Sequence, residues 1–186
     1  MSNDNDFKNY RQLLSRVDEK FSGVMTRYPS SFQCRMGCFG CCKSGLTVTH
    51  VEARHIANWL VLNSAGAVAV TDETVTSGKD ENSEDEYCAF LNQDGACSIY
   101  EVRPIVCRSH GSPILVPSVE EPGALDADVC PLNFQEIGLE AITSEDWIRL
   151  DTLNVILSVI DREFDPENAG LRCDLTPAGI LKGKIQ

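Results

Sequence analysis

Eight of the nine cysteines in this 186-residue chain fall between Cys34 and Cys130. Cys34, Cys38 and Cys41 have the spacing C-x3-C-x2-C, Cys42 follows directly, and Cys88, Cys97, Cys107 and Cys130 come later. Thiolates are soft donors that suit zinc and iron and discriminate against calcium and magnesium. At about 100° per residue, the first three thiols would fall within roughly 60° of one helical face. A loop bearing Gly37, Gly40 and Gly45 would converge them equally well. Consecutive side chains such as those of Cys41 and Cys42 tend to diverge. One of that pair is therefore expected to serve a second metal, or a different iron of a cluster. Eight thiols could close two four-sulfur sites, or supply one cluster and leave some free. Cys173 lies outside the pattern and reads as a buried or incidental thiol.

Other side chains near the cysteines add to this picture. Arg35, Lys43 and Arg108 each adjoin a cysteine, and Arg103 is nearby. Such cations would lower thiol pKa values and could donate hydrogen bonds to metal-bound sulfur; chance placement is the plain alternative. Cys107 and His110 form a Cys-x2-His pair, so His110 could replace a thiolate on zinc or flank an open catalytic position. A cysteine–histidine nucleophile has less support, because nothing singles out one thiol among nine. His50 and His55 read as helix-surface or core histidines.

The expected architecture is mainly α with a small β-hairpin, its helices packed around a cysteine-lined metal centre. Phe7, Tyr10, Leu14, Val17, Phe21, Val24 and Tyr28 recur every three or four residues and predict a first helix ending at Pro29. Thr49 and Glu52 form a capping-box pattern for a helix running to about Leu62. Asn92-Gln93-Asp94-Gly95 predicts a turn that places Cys88 and Cys97 on two arms of a hairpin. Cys107 and Cys130 follow in an irregular, proline-rich stretch. A last helix is expected from a Thr143 or Ser144 cap, through Trp147, Leu150, Leu153, Leu157, Ile160 and Phe164, to Pro166. The tail beyond Asp165 carries no clear signal. The segment 71–86 holds seven acidic residues and one lysine, which predicts a mobile loop; it lacks regular calcium-ligand spacing. The organisation expected is an N-terminal helix over 1–31, a cysteine-cluster metal-binding domain over 32–132, and a C-terminal helix and tail over 133–186.

A net charge of −12 and a pI near 4.6 argue against a nucleic-acid partner. The polar N-terminus lacks a signal-peptide stretch and no apolar run approaches a membrane span, so a cytoplasmic protein with no membrane partner is expected. Thiols stay reduced there, and an odd cysteine count cannot pair completely.

These residues resemble the YkgJ family of cysteine-cluster proteins. The matching positions are Phe32, Cys34-x3-Cys38-x2-Cys41-Cys42, Ser44-Gly45 and the Thr49–Glu52 helix start. A second block matches at Cys88-Ala89-Phe90-Leu91, Asp94-Gly95, Cys97-Ser98-Ile99-Tyr100, Arg103-Pro104 and Cys107-Arg108, with Cys130 in the place of a late family cysteine. The resemblance implies chelation of zinc or iron by eight cysteines. A related pattern in flagellin lysine methylases makes an iron–sulfur centre a second option. C-x3-C-x2-C is also the spacing of radical S-adenosylmethionine enzymes. Their aromatic residue before the third cysteine is replaced here by Gly40, and repeated strand–helix units are lacking.

Three function classes follow. The chain could be a module whose metal folds the domain, or which stores or passes on metal. It could be an iron–sulfur or metal-dependent redox or methyl-transfer-type enzyme. It could also be an interaction domain in which zinc only staples the loops.

Overall fold

A computed structural model describes residues 7–35, 37–63 and 87–182. Helix α1 (Lys8–Arg27) forms where the apolar stripe begins. It buries Tyr10, Leu13, Leu14, Val17 and Val24, while Phe7 just before it is fully buried. Burying a side chain of that size stabilises by about 2–3 kcal/mol. Phe7 stacks on Phe164 with ring centres 5.2 Å apart, so the start of α1 is fixed to the end of the last long helix.

Strand β1 (Thr47–Thr49) leads directly into helix α2 (His50–Asn63). The capping box forms as its residue types require: the Thr49 backbone N–H and hydroxyl both donate to Glu52 Oε2 at 2.9 Å. The Val51 N–H, in the first turn, donates at 2.7 Å to Asp161 from the far end of the chain. Helix α2 divides two cores. Val51 packs with α1, Ile105, Leu157 and Ile160. Ala53, Ile56 and Ala57 pack instead with Phe90, Ile99, Val102, Leu175 and Ile180. A third, smaller core joins Val24, Phe134 and Ile142.

After Arg103-Pro104 comes the short helix α3 (Ile105–Ser109), which carries Cys107. Strands β2 (Ile114–Pro117) and β3 (Leu125–Asp128) pair antiparallel, and β4 (Ile148–Arg149) adds parallel to β2. Helix α4 (Leu150–Phe164) follows, then β5 (Arg172–Asp174), which pairs antiparallel with β1, and helix α5 (Pro177–Lys182).

Several expectations change. Among the described residues there are five helices with two small sheets, so the fold is mixed α/β rather than mainly α. The hairpin expected around Asn92 keeps its turn, with Asn92 Oδ1 accepting the Asp94 and Ala96 N–H groups at 3.0 and 2.8 Å. Its arms are held by an isolated Leu91–Cys97 bridge and by the Ser98 hydroxyl, which donates to Phe90 O at 3.0 Å, before the chain enters a 3-10 turn at Tyr100–Val102. The better hairpin is β2–β3, in the stretch read as irregular. The last helix begins at Leu150, later than its cap signal. Thr143 Oγ1 does donate to Asp146 at 2.7 Å, but this closes a single 3-10 turn at Ser144–Asp146. The Ile148 N–H then donates to Pro113 O at 2.9 Å and draws the chain into the sheet. The tail read as featureless supplies β5 and the fully buried Ile180. The acidic segment 71–86 lies outside the described residues.

Candidate metal centre

All nine cysteines are free thiols, as a metal-binding role requires. The loop over Cys34 to Gly45 is built from local turns: Cys38 N–H to Arg35 O at 2.9 Å, Cys42 N–H to Phe39 O at 2.8 Å and Lys43 N–H to Cys41 O at 2.9 Å. The Cys88 N–H donates to Cys42 O at 2.8 Å, stitching this loop to the Asn92 turn. Phe39 packs edge-on to Tyr87 and against Gly95, where a side-chain carbon would stand 2.8 Å from its ring. Gly95 has φ +72°, so both space and backbone demand glycine there.

The thiols are electrostatic neighbours in two overlapping sets. Burial raises the Cys34 pKa, a hydrogen bond from Asn133 opposes that rise, and charge on Cys130, Cys38 and Cys41 adds to it. Burial pushes Cys107 up to about 12, with Cys88, Cys97 and Cys41 contributing. Cys88 and Cys97 are also raised chiefly by burial. Cys41 stands at the join: it accepts hydrogen bonds from Cys42 and from His110, which hold it well below the usual thiol range. Cys42 is held correspondingly high, first by that bond to Cys41 and then by burial and the thiols Cys88 and Cys97. A metal ion entering such a site must displace protons, so binding releases them.

Among the described residues, no three Cys, His, Asp or Glu side chains are closed around a single point. The donor chemistry still fits zinc or iron, since reduced thiols from the loop, the Asn92 turn, α3 and the chain after β3, exposed at Cys34 and Cys41 and partly buried at the rest, lie in mutual electrostatic range. Cys173 pairs with Val48 in the β1–β5 sheet and packs against the second core. Its charged neighbours are Asp161, Asp174 and Arg172.

Of the basic residues, Arg103 acts as expected, its charge lowering the Cys97 pKa against the larger rise from burial, while the contacts of the others lie elsewhere. Arg108 is buried and directs its three nitrogens to Asp18 and to the carbonyls of Arg103 and Glu101, tying α3 to α1. Arg103 lies 4.0 Å over the Tyr100 ring, Arg35 donates to Gln33 Oε1 at 3.3 Å, and Lys43 sits over Tyr87. His50 pairs with Asp165 at 3.3 Å. His55 packs edge-on between Phe7 and Tyr10.

Two supporting contacts are not legible in the sequence. Glu52 caps α2 but also accepts the Ile105 N–H at 3.0 Å. Asn133 reaches Cys34, 99 positions away. Neither long-range contact follows from local types or spacing, although Glu52 itself belongs to the Thr49–Glu52 capping box.

Thiols gathered by a glycine-bearing loop, a tight turn and a short helix define a metal-chelating domain, for which zinc and iron are the fitting ions. The chain belongs to the CxxCxxCC family, described as "Putative zinc- or iron-chelating domain", whose profile matches residues 33–131, more than half its length. The narrower YkgJ name rests on resemblance alone. No curated protein and no solved structure matches the chain. Among the described residues, no helix is long and apolar enough to cross a membrane.

Proposed function

We propose that this protein chelates zinc or iron through eight thiolates in two adjoining groups. Cys34, Cys38, Cys41 and Cys130 would form one, and Cys42, Cys88, Cys97 and Cys107 the other. The observation that carries this reading is the division of neighbours at Cys41 and Cys42. Charge on Cys38, Cys41 and Cys130 bears on Cys34, whereas Cys88 and Cys97 bear on Cys42 and Cys107; Cys41 bears on all three and links the groups. Four thiolates suffice for a closed tetrahedral zinc site, so two groups suit about two metal equivalents per chain. Because the ligands come from separate segments, metal binding would also contribute folding energy.

Anaerobic purification with elemental analysis and optical spectroscopy tests this. About two metal equivalents per chain are expected from four-thiolate sites. Metal-free protein from zinc- and iron-replete cells would contradict the reading.

The placement of His110 against Cys41 favours a second reading, an iron–sulfur or metal-dependent redox or methyl-transfer-type enzyme. A nitrogen donor at the join would leave a thiol or a coordination position free for chemistry. Brown protein with visible absorption supports its iron–sulfur form, and colourless protein with stoichiometric zinc rules that form out.

A further inference from the structure

Asn133 lies just beyond the segment that matches the family and is 2% exposed, yet its side-chain amide is fully used. Oδ1 accepts the Gln33 N–H at 2.8 Å, and Nδ2 donates to Gly111 O at 2.8 Å. Those two backbone groups fix which end of the amide is nitrogen, because an N–H needs an acceptor and a carbonyl needs a donor. The remaining Nδ2 proton then points at Cys34 Sγ, 3.4 Å away. The Asn133 backbone N–H in turn donates to Cys130 O at 2.8 Å. One buried residue thus joins Cys34 and its chain neighbour, the Gly111 backbone beside His110, and Cys130.

Hydrogen bonds to metal-bound donors orient those donors, and their loss typically weakens metal binding by about 10–100-fold. An N–H aimed at sulfur is worth more to a thiolate than to a neutral thiol, since hydrogen bonds to charged acceptors are stronger. We propose that Asn133 is a positioning residue of the metal centre, its amide donating a hydrogen bond to the Cys34 thiolate and holding it beside Cys130. This rests on the thiolate reading given above.

The test uses the full chain loaded anaerobically with zinc or cobalt. Asn133→Asp keeps an oxygen for the Gln33 N–H but cannot donate to sulfur. Zinc release to a chromophoric chelator should quicken by about 10–100-fold, and the cobalt–thiolate charge-transfer band should move. In a Cys34→Ser background the same change should add little, because coupled residues are not additive. Wild-type release in Asn133→Asp, or an equal acceleration without Cys34, would overturn the proposal in favour of a plain scaffold role. Should the variant fail to fold, wild-type protein loaded with NMR-active cadmium decides. The Asn133 amide proton should couple to the metal through the Cys34 sulfur, and lack of coupling there also overturns it. A wild-type chain that takes up none of these metals would instead sink the thiolate reading itself.

Discussion

Glu52 on α2 accepts the backbone N–H of Ile105 at 3.0 Å, at the start of the short helix that carries Cys107. The same carboxylate caps α2 through Thr49, and it is only 3% exposed. One side chain therefore sets the helix start and the position of a candidate ligand.

Replacing Glu52 with Ala strands the Ile105 and Thr49 N–H groups in a dry interior. The expected loss is about 2–6 kcal/mol, given about 1–3 kcal/mol for each buried unsatisfied group. Urea unfolding should show it. Thr49→Ala, which removes one hydroxyl bond, should cost about 1 kcal/mol.

Gly111 has φ +91°, and a methyl group there would stand 2.9 Å from Cys34 Sγ and 3.4 Å from Asn133 Nδ2. Gly111→Ala should therefore strain the backbone by about 1–3 kcal/mol and displace a candidate ligand. Zinc affinity measured by chelator competition should fall at least about tenfold, the equivalent of 1.4 kcal/mol. Unchanged affinity would place Cys34 outside the centre.

His55 is buried, its Nδ1 has no hydrogen-bond partner among the described residues, and burial lowers its pKa to about 4, with the charges of Arg11 and Arg108 adding to the effect. In the unfolded chain a histidine titrates near about 6.5. Below that pH the unfolded state takes up a proton that the folded state refuses. Stability should therefore fall from about pH 6.5 to about pH 4, by up to about 3 kcal/mol, and this contribution should level off below. Thermal melts of wild type and His55→Leu, compared in the same metal state, isolate it. The variant should lack that part of the slope and keep its neutral-pH stability.

The long helices were legible because their signals are local. The stripe from Phe7 to Val24 and the Thr49–Glu52 box need nothing beyond their own segments. The turn at Asn92 was legible for the same reason. Strand β3, Leu-Asp-Ala-Asp, was hidden by two aspartates that disfavour strands, and two-residue β4 is extended only through its parallel partner. That same pairing delayed α4 past its cap. At the candidate site, residue type and spacing pointed to the cysteines. The groups that steady them, Asn133 and Glu52, act across 99 and 53 positions, and such contacts leave no trace in local spacing.

Differential thiol alkylation read by mass spectrometry tests most directly which sulfurs hold the metal. In metal-loaded protein Cys34, Cys38, Cys41, Cys42, Cys88, Cys97, Cys107 and Cys130 should resist the reagent and become reactive after chelation, while Cys173 reacts alike in both states. A labelling pattern indifferent to metal, or metal-dependent protection of Cys173 in place of the loop cysteines, would contradict the account.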